Sequence, residues 1–269
     1  MKRPNVLVTN DDGIDSFFLR VLVESLMKTG CQTFVAAPDK EQSWIGRAFS
    51  RWRTVSVERS TLFDTPAWAI DGTPSDCVNI ALGHLLAQPP DLVVSGINIG
   101  VNLGNPLVFS SGTLAGAIEA AGSGIPAIAF SQQIDVENHF RELRRNRGHC
   151  EGAQAVSLRH AATHAARMAL ERIEAASSDT LPLCVYNVNF PLVTTPHTPV
   201  RPTQLASQPL GCLFEAIGKG RYTFKYKVGG PAADNEHSDI RTTITLGEIS
   251  CTPLDFRVLG CTSKRSPQG

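Results

Sequence analysis

The sequence lacks several features that would assign its class directly. Its formal net charge is zero, because 25 Lys and Arg residues balance 25 Asp and Glu residues, whereas a generic nucleic-acid binder is clearly basic. No apolar run approaches the ~18 residues that span a bilayer, and the apolar run near the N-terminus is too short for a signal peptide. We therefore expect a soluble, cytoplasmic protein with neither a nucleic-acid polymer nor a membrane as its partner.

Two sequence motifs of common enzyme and redox sites are also absent. The seven cysteines form no C-x-x-C pair, and there is no G-x-S-x-G motif of the kind that carries a nucleophilic serine. Scattered cysteines in a chain of 269 residues are typical of reduced thiols. A core of this size needs neither a disulfide nor a structural metal for its stability.

The apolar runs that are present predict an α/β fold. Short strand patterns alternate with helical patterns, and this alternation favours a mostly parallel, Rossmann-like sheet flanked by helices. The predicted strands are 5–9, 33–37, 54–58, 68–70, 91–94, 126–130 and 183–190. The predicted helices are 16–28, 74–86, 112–121 and 153–175.

The last third of the chain differs in pattern from the rest. We expect an α/β catalytic core over 1–191, with a charged insertion at 135–152 that is a solvated loop or helix. Segments such as 221–228 and 242–246 alternate in polarity, which predicts antiparallel hairpins or arms within 192–261. The remaining residues, 262–269, are expected to form a flexible tail.

Adjacent carboxylates follow the first predicted strand. Asp11 and Asp12 lie in T-N-D-D-G, directly after a buried run, where their mutual repulsion is unfavourable unless a cation relieves it. Hard divalent cations prefer such oxygen ligands. An Asx turn in which Asp12 caps the next helix explains the loop equally well.

A glycine-rich segment follows the strand at 91–94. In S-G-I-N-I-G-V-N-L-G-N, glycine recurs every fourth residue, and Asn98 and Asn102 lie between the glycines. Glycine allows a ligand close to the backbone, and asparagine supplies a neutral oxygen or an N–H donor. An irregular turn-rich loop is the alternative.

Hydroxyl groups precede the helix predicted at 112–121. Ser110, Ser111, Gly112 and Thr113 form its first turn, and free N–H groups at a helix N-terminus attract phosphate. Ordinary N-capping by serine or threonine also accounts for them. Taken together, the three segments indicate a carboxylate-bound metal beside an anion site, which is the equipment for metal-assisted phosphoryl transfer to water.

The same segments resemble the SurE family, the survival-protein nucleotidases. The matching motifs are N-V-L-V-T-N-D-D-G-I, A-P-D-K-E-Q-S, D-G-T-P-S-D-C-V, D-L-V-V-S-G-I-N-I-G-V-N-L-G, S-S-G-T-L-A-G-A-I-E-A and Y-N-V-N-F-P, in the family's order. The resemblance implies a metal-dependent phosphatase that acts on nucleoside 5′-monophosphates, with 3′-nucleotides and short polyphosphate as further substrates. It also implies a homodimer or tetramer that exchanges C-terminal arms.

The resemblance assigns roles to individual residues. It implies one Mg²⁺ or Mn²⁺ ion per subunit, held by Asp11, Asp12, Ser43 and Asn98, and phosphate contacts from Asn98 and from Ser110 to Thr113. Either aspartate could orient the attacking water. Trp44 is a departure, because the family more often has glycine or another small residue there, and the indole could narrow the pocket or stack on a base.

Two other classes of protein remain as alternatives. One is a nucleotide-binding member of the same fold that has lost turnover, against which the intact N-D-D-G sequence weighs. The other is a different α/β enzyme, such as a nucleotide-binding transferase. A phosphate-release assay distinguishes both from a phosphatase.

Overall fold

The computed structural model of this chain describes residues 3–135, 140–176, 184–226 and 235–258. Its main feature is a nine-stranded sheet with the strand order β3-β4-β2-β1-β5-β6-β7-β11-β8, and β9 and β10 form a separate two-stranded sheet. The strands are β1 Asn5–Thr9, β2 Gln32–Pro38, β3 Val57–Ser60, β4 Ala67–Ile70, β5 Leu92–Ile99, β6 Ala127–Gln132, β7 Cys184–Phe190, β8 Val200–Pro202, β9 Phe214–Gly218, β10 Arg221–Phe224 and β11 Ile249–Asp255.

Six central strands, from β4 to β7 in the sheet order, run parallel, whereas β3 and β11 are antiparallel to their neighbours β4 and β7. The mostly parallel α/β sheet predicted from the sequence is therefore confirmed. The helices are α1 Phe17–Lys28, α2 Pro74–Ile80, α3 Gly104–Ser110, α4 Gly112–Gly122, α5 Phe140–Arg145 and α6 Gly152–Ala176. Among the described residues, no helix is both long and apolar enough to cross a bilayer.

The sheet is covered on both faces, which explains its continuous apolar strands. Along β1, Val6 and Val8 belong to the cluster that includes side chains of α1 and α6, and Leu7 belongs to the cluster that includes side chains of α2 and α4. All three side chains are fully buried. The loops that leave the parallel strands therefore emerge from a rigid support.

The fifth strand is longer than its sequence predicts. We expected a strand at 91–94 followed by a loop, but β5 continues to Ile99 and pairs with β6 there, after a register shift between Ser95 and Asn98. Gly96 permits this path, because its φ is 131° and a Cβ there would lie 2.3 Å from the carbonyl oxygen of Phe130. The glycines in this segment therefore allow close strand packing as well as an approach to the site.

Two local predictions in the loops were wrong. Residues 104–110, for which the sequence predicted no helix, form α3. The segment 242–246, expected as part of an antiparallel hairpin, instead lies in a helical turn, Arg241–Thr245. The hydroxyl of Ser238 accepts the N–H of Arg241 at 3.2 Å. The buried residues of the turn are Thr242 and Thr243, whereas Ile244 is exposed.

The C-terminal third contributes to the sheet as well as to a hairpin. Strands β8 and β11 extend the main sheet beyond β7, whereas β9 and β10 pair with each other, and with no other described strand, in an antiparallel hairpin whose residues are exposed. Within the charged insertion predicted at 135–152, α5 forms and residues 136–139 lie outside the described part. The predicted tail, 262–269, also lies outside it.

Candidate active site

The carboxyl ends of β1 and β5 place the two predicted aspartates. Asp11 is buried, and its Oδ1 accepts a hydrogen bond from the hydroxyl of Thr113 at 2.6 Å. The Oδ2 of Asp12 accepts the backbone N–H of Ile99 at 2.9 Å. Each carboxylate is therefore oriented by a donor from another element, Ile99 at the end of β5 and Thr113 in the first turn of α4, as expected for groups outside the carboxyl ends of parallel strands.

Gly112 fits closely against Asp11. A Cβ at position 112 would lie 2.7 Å from the Cβ of Asp11, 2.8 Å from its Oδ2 and 2.9 Å from the carbonyl oxygen of Gln42. The backbone of Asp11 is fixed as well, since its carbonyl accepts the N–H of Gln42 at 2.7 Å. Only glycine allows the first turn of α4 to come this close to the carboxylate.

A cavity of about 440 Å³ opens beside Asp11. Five of the eight sequence-predicted site residues line it: Asp11, Ser43, Asn98, Ser110 and Ser111. The other three, Asp12, Gly112 and Thr113, hold or adjoin the lining residues through the contacts described above. Lining residues that are 32 to 100 positions from Asp11 in sequence thus meet it at one edge of the sheet.

The hydrogen bonds that Asn98 and Ser111 make within the protein determine which of their side-chain atoms remain available to a ligand. The amide nitrogen of Asn98 donates to the carbonyl of Gly100 at 2.8 Å, so the amide oxygen is the remaining ligand atom of that side chain. Ser111 is the N-cap of α4, and its Oγ accepts the N–H of Leu114 at 3.1 Å. A hydroxyl that accepts in this way retains its own O–H as a donor.

The other two hydroxyls of this turn have partners within the protein. The Ser110 hydroxyl lies 3.3 Å from the carbonyl oxygens of Pro106 and Leu107 in α3. The fully buried Thr113 hydroxyl is the donor to Asp11. Thr113 therefore acts in this structure as a positioning residue for Asp11.

Sequence reasoning missed the asparagines that fix the cavity wall. The N–H of Asn102 donates to Oδ1 of Asn189 at 2.8 Å, and its carbonyl accepts from Nδ2 of Asn187 at 2.7 Å. Its own amide donates to Ser131 at 2.8 Å. Two fully buried asparagines on β7 were the available signal, because buried polar side chains require partners.

Asp239 supports the neighbouring helix rather than the cavity. It is fully buried, and its carboxylate accepts the N–H groups of Gly104 at 2.7 Å, Ala206 at 2.8 Å and Ile240 at 2.9 Å. Burial raises the pKa of Asp239, and these N–H donors act in the opposite direction. The contact with Gly104 satisfies the N-terminus of α3, for which Leu103 supplies no side-chain cap.

Aromatic side chains form a second part of the cavity lining. The Trp44 ring lies 4.9 Å from the ring of Phe224 and 5.3 Å from that of Tyr226, measured between centroids. We call these three lining residues the aromatic wall. The wall joins the Ser43 loop to the β9–β10 hairpin, which forms a sheet separate from the main one within the part of the chain that the structure describes.

The polar side of the cavity supplies oxygen ligands without a large cluster of charges. Among the residues that the structure describes, no three or more His, Cys, Asp and Glu side chains form a group that could hold a metal. Two carboxylates, one amide oxygen and one hydroxyl nevertheless make an all-oxygen set, which suits a hard divalent cation.

Comparison with known protein families identifies the family of this chain. The family model described as survival protein SurE matches residues 6–211. The chain belongs to the SurE family. The match includes every site residue predicted from the sequence, from Asp11 to Thr113, and SurE membership confirms the resemblance that the motifs indicate.

Curated relatives of this SurE chain extend over almost its whole length. The 5′-nucleotidase SurE of Methanosarcina mazei is 33% identical over 94% of this chain and 92% of its own length. The 5′-nucleotidase SurE 1 of Thermus thermophilus is 34% identical over 93% of this chain and 91% of its own. The crystal structure of the SurE protein from Aquifex aeolicus matches with a TM-score of 0.68 and 26% identity, over 96% of this chain and 97% of that one.

Proposed function

We propose that this SurE protein hydrolyses nucleoside monophosphates with water, and that it uses a divalent metal ion to do so. Its relatives named 5′-nucleotidase identify it as a phosphoric monoester hydrolase. The observation that supports the finer proposal is the placement of Asp11, oriented by Thr113, in a cavity with serine hydroxyls and the Asn98 side chain. This arrangement combines oxygen ligands with phosphate donors.

The residues present fit a divalent cation. Asp11, Asp12, Ser43 and Asn98 would hold it, because all four offer hard oxygen ligands and three of them line the same cavity. Such a cation would neutralise charge on the phosphoryl oxygens and acidify a water molecule. We propose Mg²⁺ or Mn²⁺, with one ion per subunit.

The protein's own groups position the substrate and the water. We assign the phosphate contacts to Asn98 and to the turn from Ser110 to Thr113, where the N–H groups at the start of α4 and the Ser111 hydroxyl are donors. Thr113 holds Asp11 in place through its 2.6 Å hydrogen bond. Asp11 or Asp12 then accepts a hydrogen bond from the attacking water and orients it in line with the leaving oxygen.

The leading substrate class is the nucleoside 5′-monophosphates, as the names of the relatives indicate. A cavity of about 440 Å³ is within the range of sites that accept small organic ligands, roughly 300–1,000 Å³. We extend the proposal to 3′-nucleotides and short polyphosphate, which carry the same phosphoryl group.

The test replaces each aspartate by its neutral isostere. Asp11→Asn and Asp12→Asn are each expected to lower kcat for AMP hydrolysis roughly 10³-fold with Mn²⁺ or Mg²⁺, since each change removes a charged ligand of the cation. Chelation of metal from the wild-type protein is expected to abolish turnover, and Mn²⁺ is expected to restore it. Phosphate release is the measurement.

Asp64→Asn is the matched control, because Asp64 is exposed in the loop between β3 and β4. Retention of near-normal kcat in both Asp11→Asn and Asp12→Asn would contradict the assignment. Binding of AMP by the wild-type protein without phosphate release would favour the alternatives, a non-catalytic binder or a transferase.

We further propose a homodimer or tetramer assembled through the segment after residue 191. Exposed apolar side chains on the β9–β10 hairpin support this proposal: Phe214, Ile217, Tyr222 and Phe224. A hairpin is marginally stable by itself and gains stability by packing against a partner. The described cysteines are free thiols, which supports a reducing, cytoplasmic location.

A further inference from the structure

Trp44 has a backbone conformation that does not suit tryptophan. Its φ is 62°, in the left-handed region where glycine is unstrained and a bulky residue is an outlier. Glycine would satisfy the turn with no such strain. Strained residues of this kind occur mainly where the surrounding site uses them.

The aromatic wall is not packed as a core would be. Trp44 remains 38% exposed, Phe224 44% and Tyr226 38%, so each ring retains surface that a ligand in the cavity can cover. Partial burial nevertheless raises the pKa of Tyr226. Rings that were needed only for stability would be covered by neighbouring side chains.

The two sides of the cavity differ in chemistry. One part of the lining consists of Asp11, Ser43 and Asn98, and another part is the aromatic wall. A nucleotide has the same division, since its phosphate is anionic and its base is a planar aromatic ring. Stacking of a base on an aromatic side chain raises affinity about five- to 150-fold and accepts any base, because every base has a π-face.

We propose that Trp44, together with Tyr226 and Phe224, binds the nucleobase of the substrate and thereby selects nucleotides over phosphate esters that lack an aromatic ring. This inference rests on the proposed phosphatase function. It adds a selectivity element that is built from the Ser43 loop and the β9–β10 hairpin. Stacking alone predicts little preference between purines and pyrimidines beyond that due to ring size.

The first experiment compares substrates. Trp44→Gly removes the indole and leaves a residue suited to φ 62°, so the variant is expected to fold. For each protein, kcat and KM are measured with AMP and with glycerol phosphate, which has no ring. We expect KM for AMP to rise about tenfold, and the ratio of the two kcat/KM values to fall by the same factor.

Two further variants separate base binding from support of the hairpin. Trp44→Phe retains an aromatic face, so its ratio of kcat/KM for AMP to kcat/KM for glycerol phosphate is expected to stay within about threefold of the wild-type ratio. Tyr226→Ala is expected to lower that ratio. Trp52→Ala is the matched control, because Trp52 is 87% exposed on the same loop and does not line the cavity. A purely structural Trp44 would instead change both substrates equally.

Binding provides a readout that is independent of turnover. Adenosine is expected to quench tryptophan fluorescence in the wild type, and the quenched fraction is expected to fall in Trp44→Phe. Quenching without hydrolysis of either ester would overturn the proposed phosphatase function and support the aromatic wall. An unchanged substrate ratio in Trp44→Gly, or equal quenching in wild type and Trp44→Phe, would overturn the role of Trp44.

Discussion

The two sides of the cavity are built in opposite ways. On the polar side, Asp11, in the loop after β1, and Thr113, in the first turn of α4, are buried and joined by a 2.6 Å hydrogen bond. On the aromatic side, Trp44 meets a hairpin that stands apart from that sheet and is exposed along its length. A small displacement on the polar side misaligns reacting groups, whereas the aromatic side tolerates adjustment.

This difference assigns separate tasks to the two sides. A reaction requires fixed geometry, because a misplacement of 1 Å can cost about 10²-fold in rate. Selection by stacking requires only an aromatic face. Substitutions on the polar side should therefore act mainly on kcat, and substitutions on the aromatic side should act mainly on KM or on assembly.

The largest expected effect in this comparison comes from Gly112→Ala. The new Cβ would lie 2.7 Å from the Cβ of Asp11, so the carboxylate or the start of α4 must shift. We expect kcat for AMP to fall on the order of 10²-fold, together with a loss of about 1–3 kcal/mol in the free energy of unfolding through overpacking.

Gly122→Ala in the same helix is the control. A Cβ there meets only Arg47, at 3.9 Å, so we expect unchanged kcat and a gain of up to about 1 kcal/mol in unfolding free energy. Steady-state kinetics and urea denaturation measure both variants. If Gly112→Ala retained the kcat of the wild type, the geometry around Asp11 would not need to be fixed for turnover.

A smaller effect is expected from Thr113→Val. This change retains the shape of the side chain and removes the donor to Asp11, so we expect kcat to fall roughly 10- to 100-fold and the Mn²⁺ requirement to rise, as when outer partners of metal ligands are lost. Thr113→Ser retains the hydroxyl and should recover most of the activity. If valine and serine behave alike in a Mn²⁺ titration, the hydrogen bond does not position Asp11.

The smallest effect on the free energy of unfolding is expected from a substitution in the β9–β10 hairpin. Ile217 is 53% exposed on β9, so Ile217→Asp should change the unfolding free energy by no more than about 0.5 kcal/mol. It should nevertheless reduce the apparent mass in size-exclusion chromatography if the hairpin joins subunits. An oligomer that persists in Ile217→Asp would place the interface on another surface.

Local patterns were sufficient to predict the strands from β1 to β7 and the residues adjacent to their ends, but not that β8 and β11 extend the same sheet. Asp11 and Asp12 are evident because two carboxylates follow an apolar strand, and Asn98 is evident because glycines surround it. Ser43 came only from the resemblance to SurE, since a serine in a polar loop has no distinguishing pattern. The parallel sheet then brings these positions together.

Features that depend on distant partners could not be predicted. Helix α3 lacks a local cap, and Asp239, 135 positions away, supplies one. Asn102 has partners on β7 that are 85 and 87 positions away. The contact between Trp44 and Phe224 likewise depends on where the hairpin packs. Sequence periodicity carries no information about such pairings, because each arises from the tertiary fold.

The position of β11 has a consequence for shortened forms of the chain. The SurE family model ends its match at residue 211, yet β11, Ile249–Asp255, pairs with β7 over six residue positions and separates it from β8. A chain cut at residue 211 would expose the long edge of β7, whose sequence is C-V-Y-N-V-N-F. Exposed apolar edge strands recruit strands from other molecules, so the C-terminal segment also protects this enzyme against aggregation.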